Sequence, residues 1–211
     1  MNIITIKNQP ISSNCYIIIE EQHCLVIDPG TSDCKDLLSY LTRHILSLDY
    51  IILTHEHYDH ISGADCLRMN YPQAMLICSE VCNQLIQSPK GNLSQYSDDD
   101  GIGFSIASCD ISYSEDSFFS WMGHQFNILL SPGHSKGSIC LLTHNILFSG
   151  DTLIPFNKTV LKLSGGSKFE LYQSLCKLQT IVAPHSIVYP GHLETCLFKD
   201  IISDAFISYK W

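Results

Sequence analysis

Apolar residues along the chain gather into short β-rich runs at 3–6, 15–19, 24–27, 50–53, 74–78, 126–130, 138–142, 146–148 and 187–189, each bounded by turn formers. So many strands exclude a helix bundle. Between them, Leu37, Leu38, Leu41 and Ile45 make one stripe at helical spacing, and Phe169, Tyr172, Leu175, Cys176 and Leu178 make another. The second stripe opens with Ser167-Lys168-Phe169-Glu170, a capping-box sequence. Strands and helices are mixed throughout, with no repeat and no linker, which predicts one α/β domain over residues 1–211. Residues 87–110, rich in Ser, Asp and Gly, read as a surface loop that can cover a site, and the run Asp98-Asp99-Asp100 within it as solvated charge. Residues 201–211, with Phe206, Tyr209 and Trp211, read as a terminal helix packed on the core.

Composition narrows the function classes. Hydrophobic residues make up 45% of the 211 and charged residues 16%, well outside the regime of disordered chains. The net charge of −9, with no basic stripe, argues against a nucleic-acid partner. No apolar run approaches the ~20 residues of a membrane helix, and the first ten residues lack the features of a secretion signal, so a cytoplasmic protein with no membrane partner is expected. The ten cysteines show no paired spacing and are expected as reduced thiols. Cys78 and Cys82, four apart as on a helix face, read as small buried hydrophobes.

The chemistry concentrates in Leu-Thr-His-Glu-His-Tyr-Asp-His, residues 53–60, directly after an apolar strand. His55, His57, Asp59 and His60 are imidazole and carboxylate donors of the kind that suit zinc, iron or manganese. The helical zincin pattern H-E-x-x-H fails, because its second His would fall on Asp59. Three further segments put a His or Asp beside Gly at the end of a strand-like run: Ser131-Pro132-Gly133-His134, Ser149-Gly150-Asp151-Thr152 and Tyr189-Pro190-Gly191-His192. Together they supply further ligands for a binuclear centre.

These residues resemble the metallo-β-lactamase superfamily of hydrolases, whose pattern is H-x-H-x-D-H followed by a lone His, an Asp and a final His. All seven positions occur here in order, and the likeness runs from Asn14-Cys15-Tyr16 through Asp28-Pro29-Gly30 to His192. The resemblance implies a four-layer αββα sandwich with two divalent metal ions, most simply zinc, with iron or manganese as the other cations. By the same resemblance His55, His57 and His134 hold one metal and Asp59, His60 and His192 the other, while Asp151 bridges. Asp59 then also orients the metal-bound hydroxide that attacks the substrate.

The segment Ser-Pro-Gly-His-Ser-Lys-Gly-Ser-Ile-Cys, residues 131–140, is similar to the glyoxalase II-like branch, which hydrolyses thioesters such as S-lactoylglutathione. The nineteen residues after His192 point to a short form without the helical C-terminal domain that holds glutathione in larger relatives. A Gly-Arg-x-Asp segment of shorter relatives is replaced by Thr159-Val160-Leu161-Lys162-Leu163-Ser164 before Gly165-Gly166. A small-molecule thioester or ester is thus the expected substrate, with Tyr58, Lys162 and Lys168 as candidate contacts. Two other readings stand beside it. A mononuclear iron oxygenase resembling persulfide dioxygenase would use only His55, His134 and Asp151, and a non-catalytic metal-binding protein would use the cations structurally.

Overall fold

A computed structural model describes residues 1–97 and 100–208, with side chains described as far as Phe206. Asp98 and Asp99 of the acidic run, and Tyr209 and Trp211 of the aromatic C-terminus, lie outside the described residues. The chain forms two compact units, Met1–Ser112 and the residues from Tyr113 onward.

The first unit carries β1 (Asn2–Lys7), β2 (Asn14–Glu20), β3 (His23–Ile27), α1 (Lys35–Arg43), β4 (Ser47–Ile52), α2 (Tyr58–Ile61), α3 (Ala64–Asn70), β5 (Met75–Ser79) and α4 (Glu80–Ile86). Its six-stranded sheet is completed by β6 (Ile111–Tyr113), in the order β1-β2-β3-β4-β5-β6. The β1-β2 and β2-β3 pairs are antiparallel, joined by short turns, whereas β3-β4 and β4-β5 are parallel and need helical crossovers. Leu37 and Leu41 of α1, Ala64 and Leu67 of α3 and Cys82 and Ile86 of α4 pack with Ile17, Val26, Ile51 and Leu76 of the sheet in one core. The central parallel strand β4 thereby ends in a fully buried position, and Leu53 just beyond it still donates to Ile77 O at 2.9 Å. Whatever follows Leu53 is anchored at the C-terminal edge of parallel strands, where α/β sheets place ligands.

The second unit holds β7 (Ser117–Trp121), β8 (His124–Leu130), β9 (Ile139–Thr143), β10 (Ile146–Gly150), α5 (Lys168–Ile181), β11 (Ile187–Pro190), β12 (Cys196–Leu197) and α6 (Phe198–Ser208). Its sheet order is β12-β11-β10-β9-β8-β7, antiparallel except for β10-β11, which α5 connects as a crossover. Leu171, Leu175 and Leu178 of α5 and Phe198, Ile201 and Ile202 of α6 cover Cys140, Leu142, Leu147 and Val188 in a second core. Ser167 caps α5, accepting from Glu170 N at 3.3 Å as the capping-box sequence predicts.

Every strand run expected from the pattern is a strand, and the structure corrects several details. The short strands β6, β7 and β12 escape the pattern, because half-exposed edge strands lack a continuous apolar run. Helix α1 ends at Arg43, and Ile45, counted into its stripe, is 81% exposed in a left-handed turn. On α5 the buried face is Leu171, Ser174, Leu175 and Leu178, while Phe169 is exposed. Cys78 lies on β5 and Cys82 on α4, not on one helix, though both are buried as expected. Residues 87–110 are not wholly superficial: Asn92 and Ser94 are fully buried. Among the described residues no helix is long and apolar enough to cross a membrane.

Candidate metal centre

In the first unit the donors leave β4 on an extended stretch that turns into a single helical turn. His57 is extended (φ −65°, ψ 139°) and caps α2, and His60 N donates to His57 O at 2.9 Å. Extended backbone alternates side chains, so His55 and His57 emerge two apart, while the turn returns Asp59 and His60 to the same region. The ring centroids of His55 and His57 are 4.7 Å apart, and those of His55 and His60 4.2 Å. His60 Nε2 lies 3.5 Å from Asp59 Oδ2.

Distant segments hold this turn in place. Asp28, left-handed at φ 54°, accepts Thr54 N at 2.7 Å on one oxygen and Thr54 Oγ1 at 2.6 Å on the other. The second oxygen also meets His60 Nδ1 at 3.0 Å. Thr54 Oγ1, having given its proton to Asp28, accepts from His55 Nδ1 at 3.0 Å. Asp28, His55 and His60 offer ligand atoms within 4.8 Å of one another, yet the carboxylate of Asp28 is occupied by three partners. Its place is therefore that of an orienting group, fixing the Nδ1–H tautomer so that Nε2 of both imidazoles carries the lone pair. Asn92 O takes Tyr58 N at 3.0 Å, and Ser13 Oγ donates to Asp59 O. Gly30 lies so close that a Cβ there would stand 1.7 Å from Asp59 O. Asp28 figures in the sequence only within a family signature, and nothing marks Asn92 or Ser13. Asp28-Pro29-Gly30 at a strand end is the one signal that could have been read as an orienting carboxylate.

In the second unit three donors converge from three loops. His134 follows β8, Asp151 follows β10 directly and His192 follows β11. Asp151 Oδ2 lies 3.6 Å from His134 Nε2 and 3.5 Å from His192 Nε2. His134 Nδ1 donates to Val160 O at 2.9 Å, which leaves its Nε2 with a lone pair aimed at a carboxylate. Two acceptors face each other stably only with a cation or an extra proton between them. The donor set of buried or half-buried imidazoles and carboxylates thus fits a divalent cation of the zinc, iron or manganese kind.

Tyr58 is half-buried and lines, with Asp59, Gly30, Ser62 and Phe104, a pocket of about 240 Å³. Lys162 and Lys168 are exposed.

The family model described as metallo-beta-lactamase superfamily matches residues 8–192. The chain is 31% identical over 180 residues to a hydroxyacylglutathione hydrolase of Aeromonas hydrophila, which covers 85% of this chain and 61% of that protein. It thus spans about three fifths of that relative's length. A probable metallo-hydrolase of Streptococcus pyogenes serotype M6 is 29% identical over 197 residues, covering 91% of this chain and 84% of the relative. Among solved structures, the BLEG-1 B3 metallo-beta-lactamase superposes with a TM-score of 0.86 at 26% identity, over 94% of this chain and 95% of that one. Two mixed sheets with flanking helices, His/Asp donor groups at the strand ends and this family match lead to one conclusion: the chain belongs to the metallo-beta-lactamase superfamily and has its αββα fold.

Proposed function

We propose that the protein is a binuclear metal-dependent hydrolase of thioesters or related esters. In this reading His55, His57 and His134 hold one cation, Asp59, His60 and His192 hold the other, and Asp151 is shared. The observation that carries it is Asp151 Oδ2, at 3.6 and 3.5 Å from two imidazole Nε2 atoms, which would let one carboxylate serve both cations. The relatives named hydroxyacylglutathione hydrolase and metallo-hydrolase support the hydrolytic class.

Bound, two such cations polarise the acyl carbonyl and bring the pKa of a water from 15.7 to about 7. The chain's own residues supply position. Asp28 and Thr54 hold His60 and His55 in one tautomer, Val160 O does so for His134, and Asp59 orients the attacking water. Tyr58 contacts the substrate from its pocket, and Lys162 and Lys168 meet an anionic group on it. The acyl C–S or C–O bond breaks as water forms the new C–O bond, giving a carboxylic acid and a thiol or alcohol. A thiolate is a good leaving group and needs no dedicated acid. A cytoplasmic setting fits ten cysteines that all stand as free thiols.

Elemental analysis of protein purified without added metal or chelator, followed by a thioester and ester panel, tests the proposal. Two metals per chain with chelator-sensitive turnover are expected. One iron per chain with oxygen consumption on persulfides would replace the proposal with a mononuclear oxygenase. Metal without turnover, and unfolding on chelation, would make the cations structural.

A further inference from the structure

Between Asp151 and α5 the second unit makes a loop whose ends are tied to the donors. Thr159 Oγ1 donates to Asp151 O at 3.0 Å, and Val160 O is the acceptor for His134 Nδ1. The loop tip between these ties carries Phe156, which is 76% exposed and left-handed at φ 55°. Val160 and Leu163 follow at 48% and 43% exposure. On another loop Leu193, the residue directly after His192, is 43% exposed and left-handed at φ 68°. Bulky side chains are genuine outliers in that backbone region, and such strain collects at ligand-handling sites. Phe156 and Leu193 thus face solvent on segments that are tied to Asp151 and His134 or directly follow His192. Lys158 is exposed in the same loop and stays solvated beside the apolar residues.

From this we infer that Phe156, Val160, Leu163 and Leu193 form the binding surface for an apolar arm of the substrate, so that the protein prefers thioesters or esters bearing an alkyl or aryl chain. The inference rests on the hydrolase reading above and adds the substrate class to it. Contact with a chain removes apolar surface from water on both sides, and each methylene so buried strengthens binding.

The test uses metal-loaded full-length protein with two substrate series. One varies the acyl group from acetyl to octanoyl on N-acetylcysteamine, and the other varies an alkyl thiol leaving group on acetyl. A rise in kcat/KM of about tenfold or more along one series is expected, and the responsive series tells which side of the scissile bond the arm occupies. Phe156→Asn and Leu193→Asn, which keep a residue at home in left-handed backbone, should flatten that rise, with the thermal transition checking that both fold. Calorimetry should find octanoate bound more tightly than acetate, and the difference reduced in both variants. Turnover with flat profiles in both series overturns the inference and leaves the hydrolase standing. With no turnover in either series the hydrolase reading falls, and equal binding of octanoate and acetate then overturns the inference as well.

Discussion

Asp28 Oδ2 lies 3.0 Å from Nδ1 of His60, thirty-two residues later in the chain, with both side chains buried. The same carboxylate holds Thr54, so one residue at the end of β3 sets the tautomer of His60 directly and of His55 through a hydroxyl. Asp28→Asn keeps the shape and removes the charge. It should lower metal affinity about 10- to 100-fold, read by chelator competition, with the far-UV spectrum unchanged.

Each unit has its own contiguous apolar core built without the donors. Treatment with a chelator should therefore abolish turnover while circular dichroism still reports native secondary structure, and re-adding zinc should restore activity.

Gly30 stands where a Cβ would meet Asp59 O at 1.7 Å and Asp59 C at 2.6 Å, both backbone atoms that cannot swing aside. Gly30→Ala should displace the turn carrying Asp59 and His60. We expect metal content to fall below that of the parent and the melting temperature to drop, measured on the same preparation.

The N-cap of α5 is isolated enough to be read alone. Ser167→Ala removes the acceptor for Glu170 N and should cost about 1 kcal/mol, roughly 2–4 °C in melting temperature for a protein of this size.

Burial raises the thiol of Cys24 to about 12, that of Cys34 to about 12 and that of Cys140 to about 11, against an ordinary value of 9.0. A folded-state pKa above the unfolded one means that the stability is intact below pH 9.0 and is lost as pH rises through 11 to 12. Denaturant midpoints should hold steady to about pH 9 and fall beyond it. At pH 8 these three thiols should resist alkylation until the protein unfolds.

The chain's pattern made the strands that build the centre of each sheet legible, because a buried parallel or central strand needs an unbroken apolar run such as 50–53 or 138–142. It mistook the buried face of α5, where Phe169 belongs to the same helical stripe as Leu175 but lies in solvent. Helical spacing lists which residues share a face and leaves open which face meets the sheet.

Sequence by itself determined the kind and order of the candidate donors, from His55 to His192, because ligand chemistry belongs to residue type and the strand-end positions are local. Tertiary structure alone decided how those donors are aimed. The groups that aim them, Ser13, Asp28, Asn92 and Val160, are brought up by folding from 26 to 46 residues away along the chain in the case of Val160, Asp28 and Ser13. A hydrogen bond across such separations leaves no periodic trace in a sequence, since its geometry depends on the packed sheets and not on neighbouring residues.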